Sequence, residues 1–107
     1  MLRLLGIFVV GVSFCAGIAG ADDLLANADM AYGEYLSGEC VTCHRVDGGD
    51  DGIPSITGVD AEGFAYIMHA YKAKELDNNV MQLVAGRLDD EQIASLAIYF
   101  QSLDPID

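Results

Sequence analysis

The chain has 107 residues with 17 acidic and five basic side chains, for a formal net charge of −12. That length suits a single domain, and the strong negative field excludes nucleic acid and anionic membrane surfaces as natural partners. The apolar fraction of 52% overstates the core, because Leu4 to Ala21 carries no charged side chain and has to be read separately.

Arg3 supplies a positive n-region, Leu4 to Ile18 an apolar run, and Ala19-Gly20-Ala21 a small-x-small cleavage site before Asp22. Residues 1–21 therefore read as a secretory signal peptide cleaved after Ala21 and residues 22–107 as the exported domain, with an uncleaved anchor as the alternative. Cys15 would leave with the signal, since the bulky Phe14 before it does not suit lipoprotein processing. Four basic residues (Arg45, Lys72, Lys74 and Arg87) would then face all 17 acids, a net charge of −13. A field of that sign favours docking to a basic partner surface at a salt-dependent rate, or serves solubility alone. A domain this small also lacks area for a large core and commonly needs a staple, metal or cofactor.

Leu25, Ala28, Tyr32, Tyr35 and Leu36 fall on one helical face and Gly38 ends the pattern, predicting a first helix from about Leu24 to Ser37. Residues Arg45 to Asp60 are rich in Gly and Asp, contain Pro54, and predict a loop. Within it Asp47 to Gly52 has a faint calcium-loop look, but Gly58 stands where the bidentate Glu would be, so a solvated acidic loop is expected. Asp60 should cap a second helix, Ala61 to Lys74, buried through Phe64, Ile67, Met68 and Tyr71. After the polar turn Asp77-Asn78-Asn79, the segment around Val80-Met81 is expected to be irregular. Asp89 and Gln92 then make a capping-box-like start to a last helix buried through Ile93, Leu96, Ala97, Phe100 and Leu103 and stopped by Pro105. No stretch alternates with period two, so the fold class is all-α, without internal repeats.

The chemistry is concentrated in Cys40-Val41-Thr42-Cys43-His44, a C-x-x-C-H run. This pattern marks attachment of haem c, the two sulfurs adding to vinyl groups while the adjacent imidazole binds iron. Three other readings of C-x-x-C compete with it. A thioredoxin-like pair needs a strand before the motif and a helix after it; a zinc site needs further ligands, of which His69 is the sole candidate outside the motif apart from carboxylates; a structural disulfide remains open. A second axial ligand opposite His44 could come from Met30, Met68, Met81 or His69. Met30 and Met68 sit on helical stretches and read as packing residues, and His69 as a partly exposed polar one. Met81 falls outside any helical pattern, where a loop could present its sulfur, and is the expected ligand; covering the haem edge is its alternative role. The carbonyl of Pro54 is the expected acceptor for the other ring nitrogen of His44, with Ile53 and Ile56 shielding the group from water.

Taken together, helix, C-x-x-C-H, Pro-containing loop, middle helix, methionine and C-terminal helix resemble the class I cytochrome c family over nearly all of residues 24 to 103. The resemblance implies about three main helices packed around one covalent haem, with Cys40 and Cys43 as attachment points, His44 and Met81 as axial ligands and Pro54 as the carbonyl donor to His44. It also implies a contact between first and last helices at Gly33, Leu36, Tyr99 and Phe100. The runs Gly52 to Ile56, Phe64 to Lys72, Val80-Met81, Ala85-Gly86 and Ile98 to Phe100 further resemble the cytochrome subunit of flavocytochrome c sulfide dehydrogenase. That likeness implies a periplasmic one-electron carrier whose partner is a sulfide-oxidising flavoprotein, and no catalytic residue of its own. A free carrier of the c4 or c5 type and a haem protein with an open sixth position, such as a sensor or peroxidase, are the alternatives; a colourless disulfide module is the third.

Overall fold

The computed structural model describes residues 24–47 and 52–105, together with Gly6 and Gly11. The signal-peptide reading of residues 1–21 and most of the acidic run Asp47 to Gly52 therefore lie outside the described residues. Five helices lie wholly within the described residues, α1 Met30–Leu36, α2 Gly38–Val41, α3 Ala61–Lys72, α4 Asn79–Gly86 and α5 Asp90–Ser102, and there is no strand among those residues. None of these helices is long and apolar enough to cross a membrane.

Each long helix starts where a side-chain oxygen meets an otherwise unpaired first-turn amide. Asp29 accepts from Tyr32 N at 2.8 Å, Asp60 from Gly63 N at 2.9 Å, Asn78 from Met81 N at 3.0 Å and Asp89 from Gln92 N at 2.8 Å. At α5 Gln92 Oε1 also accepts from Asp89 N at 2.9 Å, closing the capping box.

Two helices are shorter than their apolar periodicity implies. The first begins at Met30 rather than near Leu24, because Asn27 adopts a left-handed conformation (φ 60°) and Asp29 is claimed as the cap. The middle helix ends at Lys72 rather than Lys74: Lys74 itself has φ 61°, and Glu75 N donates back to Ala70 O at 2.8 Å, the reversal that closes a helix C-terminus. Met30, read as a packing residue, is 46% exposed at the start of α1.

The most extensive helix contact is α1 across α5, and α3 packs on both α4 and α5. Gly33 makes the first crossing possible, because a Cβ there would land on the Ser95 carbonyl and the Tyr99 side chain. Around it Asp29 N donates to Ser95 Oγ at 3.0 Å and Gln92 Nε2 to the Tyr32 hydroxyl at 2.9 Å. The core beyond this crossing is built from Ala61, Ala65, Met68, Ala85, Ile93 and Ala97, with Phe64, Tyr71, Met81, Leu88 and Ile98 packed against it. Four of those six buried residues are alanines, so the helices approach closely. Leu96 and Phe100 are also fully buried on α5, and the Phe100 ring lies 5.8 Å from that of Phe64 and 5.4 Å from that of Tyr99.

Candidate functional site

The cysteine motif grows directly out of α1. Ser37 keeps helical backbone angles (φ −62°, ψ −20°) between α1 and α2, and Cys40 N donates to Ser37 O at 2.9 Å. Beyond α2 the helical path continues for one more turn, since Cys43 N and His44 N both donate to the Cys40 carbonyl, at 3.2 and 2.8 Å. Cys40, Cys43 and His44 therefore share one turn of the backbone. Thr42 ties its hydroxyl to Glu39 O at 2.9 Å, which steadies the turn from outside.

His44 is oriented by the loop that follows. Its Nδ1 lies 2.7 Å from the carbonyl oxygen of Pro54. A carbonyl can only accept, so Nδ1 carries the proton, and in the neutral ring Nε2 is then the nitrogen with a lone pair for a metal. The Pro54 segment is itself pinned: Gly58, at φ 71°, donates its N–H to Phe100 O at 2.8 Å, and Ala61 N donates to Gln101 Oε1 at 2.7 Å. The end of α5 thereby fixes the loop whose carbonyl fixes the imidazole.

Both thiols are free. Burial, with the Glu39 carboxylate beside it, pushes Cys40 up to about 11, whereas Cys43 is exposed. No group of three His, Cys, Asp or Glu side chains able to hold a metal ion occurs among the described residues, so nothing there supplies the further ligands that a zinc reading of the motif requires. The helix–motif–loop order likewise departs from the strand-to-helix setting of a thioredoxin-like pair.

Met81 is placed differently from the expectation. It stands in the first turn of the capped helix α4 rather than in an irregular segment, half-buried and packed against the core. Asn78 is the reason: its side chain takes the Met81 amide, and the run from Asn79 to Gly86 then winds into two turns. Met68 is 4% exposed within the core, and His69 lies 3.9 Å from Asp90 by its Nδ1. Motif and loop thus come together at Cys40, Cys43, His44 and Pro54, while Met81 belongs to a separate helix whose extensive contact is with α3.

Between α2 and α4 lies an open cleft of about 450 Å³, lined by Leu36, Gly38 and Glu39 on one side and Val84, Arg87 and Leu88 on the other, with Tyr35 and Gln92 at its ends. Cys40, Cys43, His44, Pro54 and Met81 are not among the residues that line it. Ile53, Val80 and Leu83 are exposed, beside Pro54 and Met81 in the chain, and leave apolar surface uncovered on the segments that bear these residues. Two free thiols on one turn, an imidazole with its Nε2 available and uncovered apolar side chains form a donor set and a surface suited to a large apolar macrocycle with a metal at its centre.

The cytochrome c family model matches residues 30–104, which takes in all five helices and the motif. The chain belongs to the cytochrome c family. Its all-helical architecture is that of a class I cytochrome c, and membership implies haem c binding, electron transport and redox partner proteins. No curated protein matches the chain. Within this cytochrome the residues that sequence reasoning did not single out are Lys72, Asn78 and Gln82, all of them side chains bonded to the backbone around α4. Asn78 carried a usable signal, an Asn directly before an apolar run, which is the residue type preferred at a helix N-cap.

Proposed function

We propose that this cytochrome carries one haem c, attached through Cys40 and Cys43 and held axially by His44 and Met81, and that it relays single electrons in the periplasm after cleavage at Ala21. The observation that carries the reading is the 2.7 Å hydrogen bond from His44 Nδ1 to the Pro54 carbonyl, which readies Nε2 on the same turn as the two thiols. When bound, the haem supplies a one-electron couple at its iron. The chain's own part is to attach, orient and cover. Cys40 and Cys43 fix the group covalently; Pro54 sets the tautomer and ring angle of His44 and raises its basicity; Ile53, Val80 and Leu83 keep water from it. A thioether supplied by Met81 would raise the potential relative to a bis-nitrogen site and would leave no position for small ligands, which suits a relay rather than a sensor or peroxidase.

The likeness of the Gly52 to Ile56 and Val80-Met81 runs to flavocytochrome c sulfide dehydrogenase supports a narrower reading, in which the chain is the haem subunit or electron acceptor of a sulfide-oxidising flavoprotein. The net charge of −13 after that cleavage supports a partner with a basic docking face. A free carrier of the c4 or c5 type would fit the same site.

Visible spectra of the protein matured with covalent haem, native and Met81→Ala, test the assignment. A sulfur-to-iron charge-transfer band present in the oxidised native protein and lost in the variant is the expected result, with one haem per chain by pyridine haemochrome. A band that survives the substitution would move the ligand to another methionine, and a colourless product would remove the haem reading. Co-purification with a flavin-containing protein distinguishes the bound subunit from the free carrier.

A further inference from the structure

The helix that bears Met81 has little apolar anchorage of its own. Among its eight residues only Ala85 is buried, while Val80 and Leu83 are exposed. Beside its packing on α3, three polar bonds from side chains to backbone hold it in place. Asn78 Oδ1 accepts from the amide of Met81 itself at 3.0 Å; Gln82 Nε2 donates to Leu76 O at 2.8 Å, bracing the turn that enters the helix; Lys72 Nζ on α3 donates to Leu88 O just beyond its end.

We propose that Asn78 is a positioning residue for the axial methionine, assisted by Gln82 and Lys72: it fixes the backbone from which the Met81 sulfur is presented, and so sets how firmly the sixth iron position stays closed. The proposal rests on the assignment of Met81 as ligand. The physical argument is one of location. Most caps satisfy a first-turn amide and thereby stabilise a helix as a whole. Here the satisfied amide belongs to the ligand residue, so loss of the bond frees the very residue whose side chain must hold its direction. α4 buries Ala85 alone, where α5 buries a stripe of six residues, so packing resists a shift of α4 less than one of α5.

The test compares matured holoprotein, native and variant, by titrating the ferric form with imidazole, which competes with the sulfur for the sixth position, and by the charge-transfer band. Asn78→Ala is expected to raise imidazole affinity roughly three- to tenfold, the equilibrium equivalent of an ordinary cap loss, and to weaken the band. Asn78→Asp, whose carboxylate can cap equally well, is expected to restore both. Asp89→Ala removes a comparable cap from α5 and serves as the matched comparison: it should lower the melting temperature without changing imidazole affinity. Equal imidazole affinity in Asn78→Ala and the native protein would overturn the proposal, as would an equal rise in Asp89→Ala, which would make the effect one of general stability. Met81→Ala separates the two levels of the argument. If it abolishes the band while Asn78→Ala changes nothing, the ligand assignment stands and the positioning role falls; if it leaves the band intact, both fall.

Discussion

Cys40 and Cys43 sit one turn apart, yet their surroundings differ. Cys40 is half-buried beside Glu39 and its thiol is pushed up to about 11, while Cys43 is exposed. Because the thiolate is the nucleophile, haem-free protein treated with iodoacetamide near pH 8 should be alkylated at Cys43 well before Cys40, as read by peptide mass spectrometry. The sign of the pH effect follows from the raised value: ionisation of Cys40 is held back in the folded chain relative to its ordinary value of 9.0, so its alkylation should climb as pH rises toward about 11. The same linkage lowers the stability of the haem-free fold over that interval, since the unfolded chain ionises first. Equal labelling of the two cysteines at pH 8 would contradict the burial of Cys40. At Gly33 the constraint is steric. Gly33→Ala drives a methyl into the Ser95 carbonyl, and since backbone cannot step aside cheaply a loss of about 1–3 kcal/mol is expected in denaturant melts.

Among the elements, α5 is the one most completely written in its sequence. Asp89 and Gln92 announce its start, and Ile93, Leu96, Ala97 and Phe100 are its buried stripe. Asp89→Ala should cost about 1 kcal/mol, or several degrees in melting temperature for a domain of this size. Phe100→Ala, which empties the contact with Phe64 and Tyr99, should cost about 3–5 kcal/mol. Other boundaries were less legible, because they depend on backbone sign changes that apolar periodicity does not encode. Asn27 and Lys74 take left-handed conformations, and each trims a helix by several residues or a half-turn. The site divides in the same way. Cys40, Cys43 and His44 are local and could be read from spacing, and the Pro54 carbonyl follows from the need of a ligating imidazole for a partner. The helical setting of Met81 depended on a single cap at Asn78, a weaker signal than a long periodic stripe, since α4 is short and buries little.

Across the whole molecule, charge and core act in opposite directions. The acidic excess spreads over a small surface and weakens cohesion through self-repulsion, while the interior offers mainly alanines to oppose it. Electron transfer to a basic partner protein should slow as ionic strength rises, measured by stopped-flow at constant pH; a rate flat in salt would mean that the acidity serves solubility alone. Haem-free protein should also melt far below the matured form, because a covalent apolar group filling the site adds burial that the alanine core lacks.

The crossing of α1 over α5 also sets an order of events during synthesis. Asp29 and Ser95, bonded across it, are 66 residues apart in the chain. Until the last helix has been made, the Asp29 amide has no Ser95 hydroxyl to meet, the Tyr32 hydroxyl no Gln92, and Gly33 no carbonyl to press against. The carbonyl that orients His44 waits as well, since its loop is tied to Phe100 and Gln101. A growing chain therefore presents its cysteine turn early and fixes the imidazole beside it late.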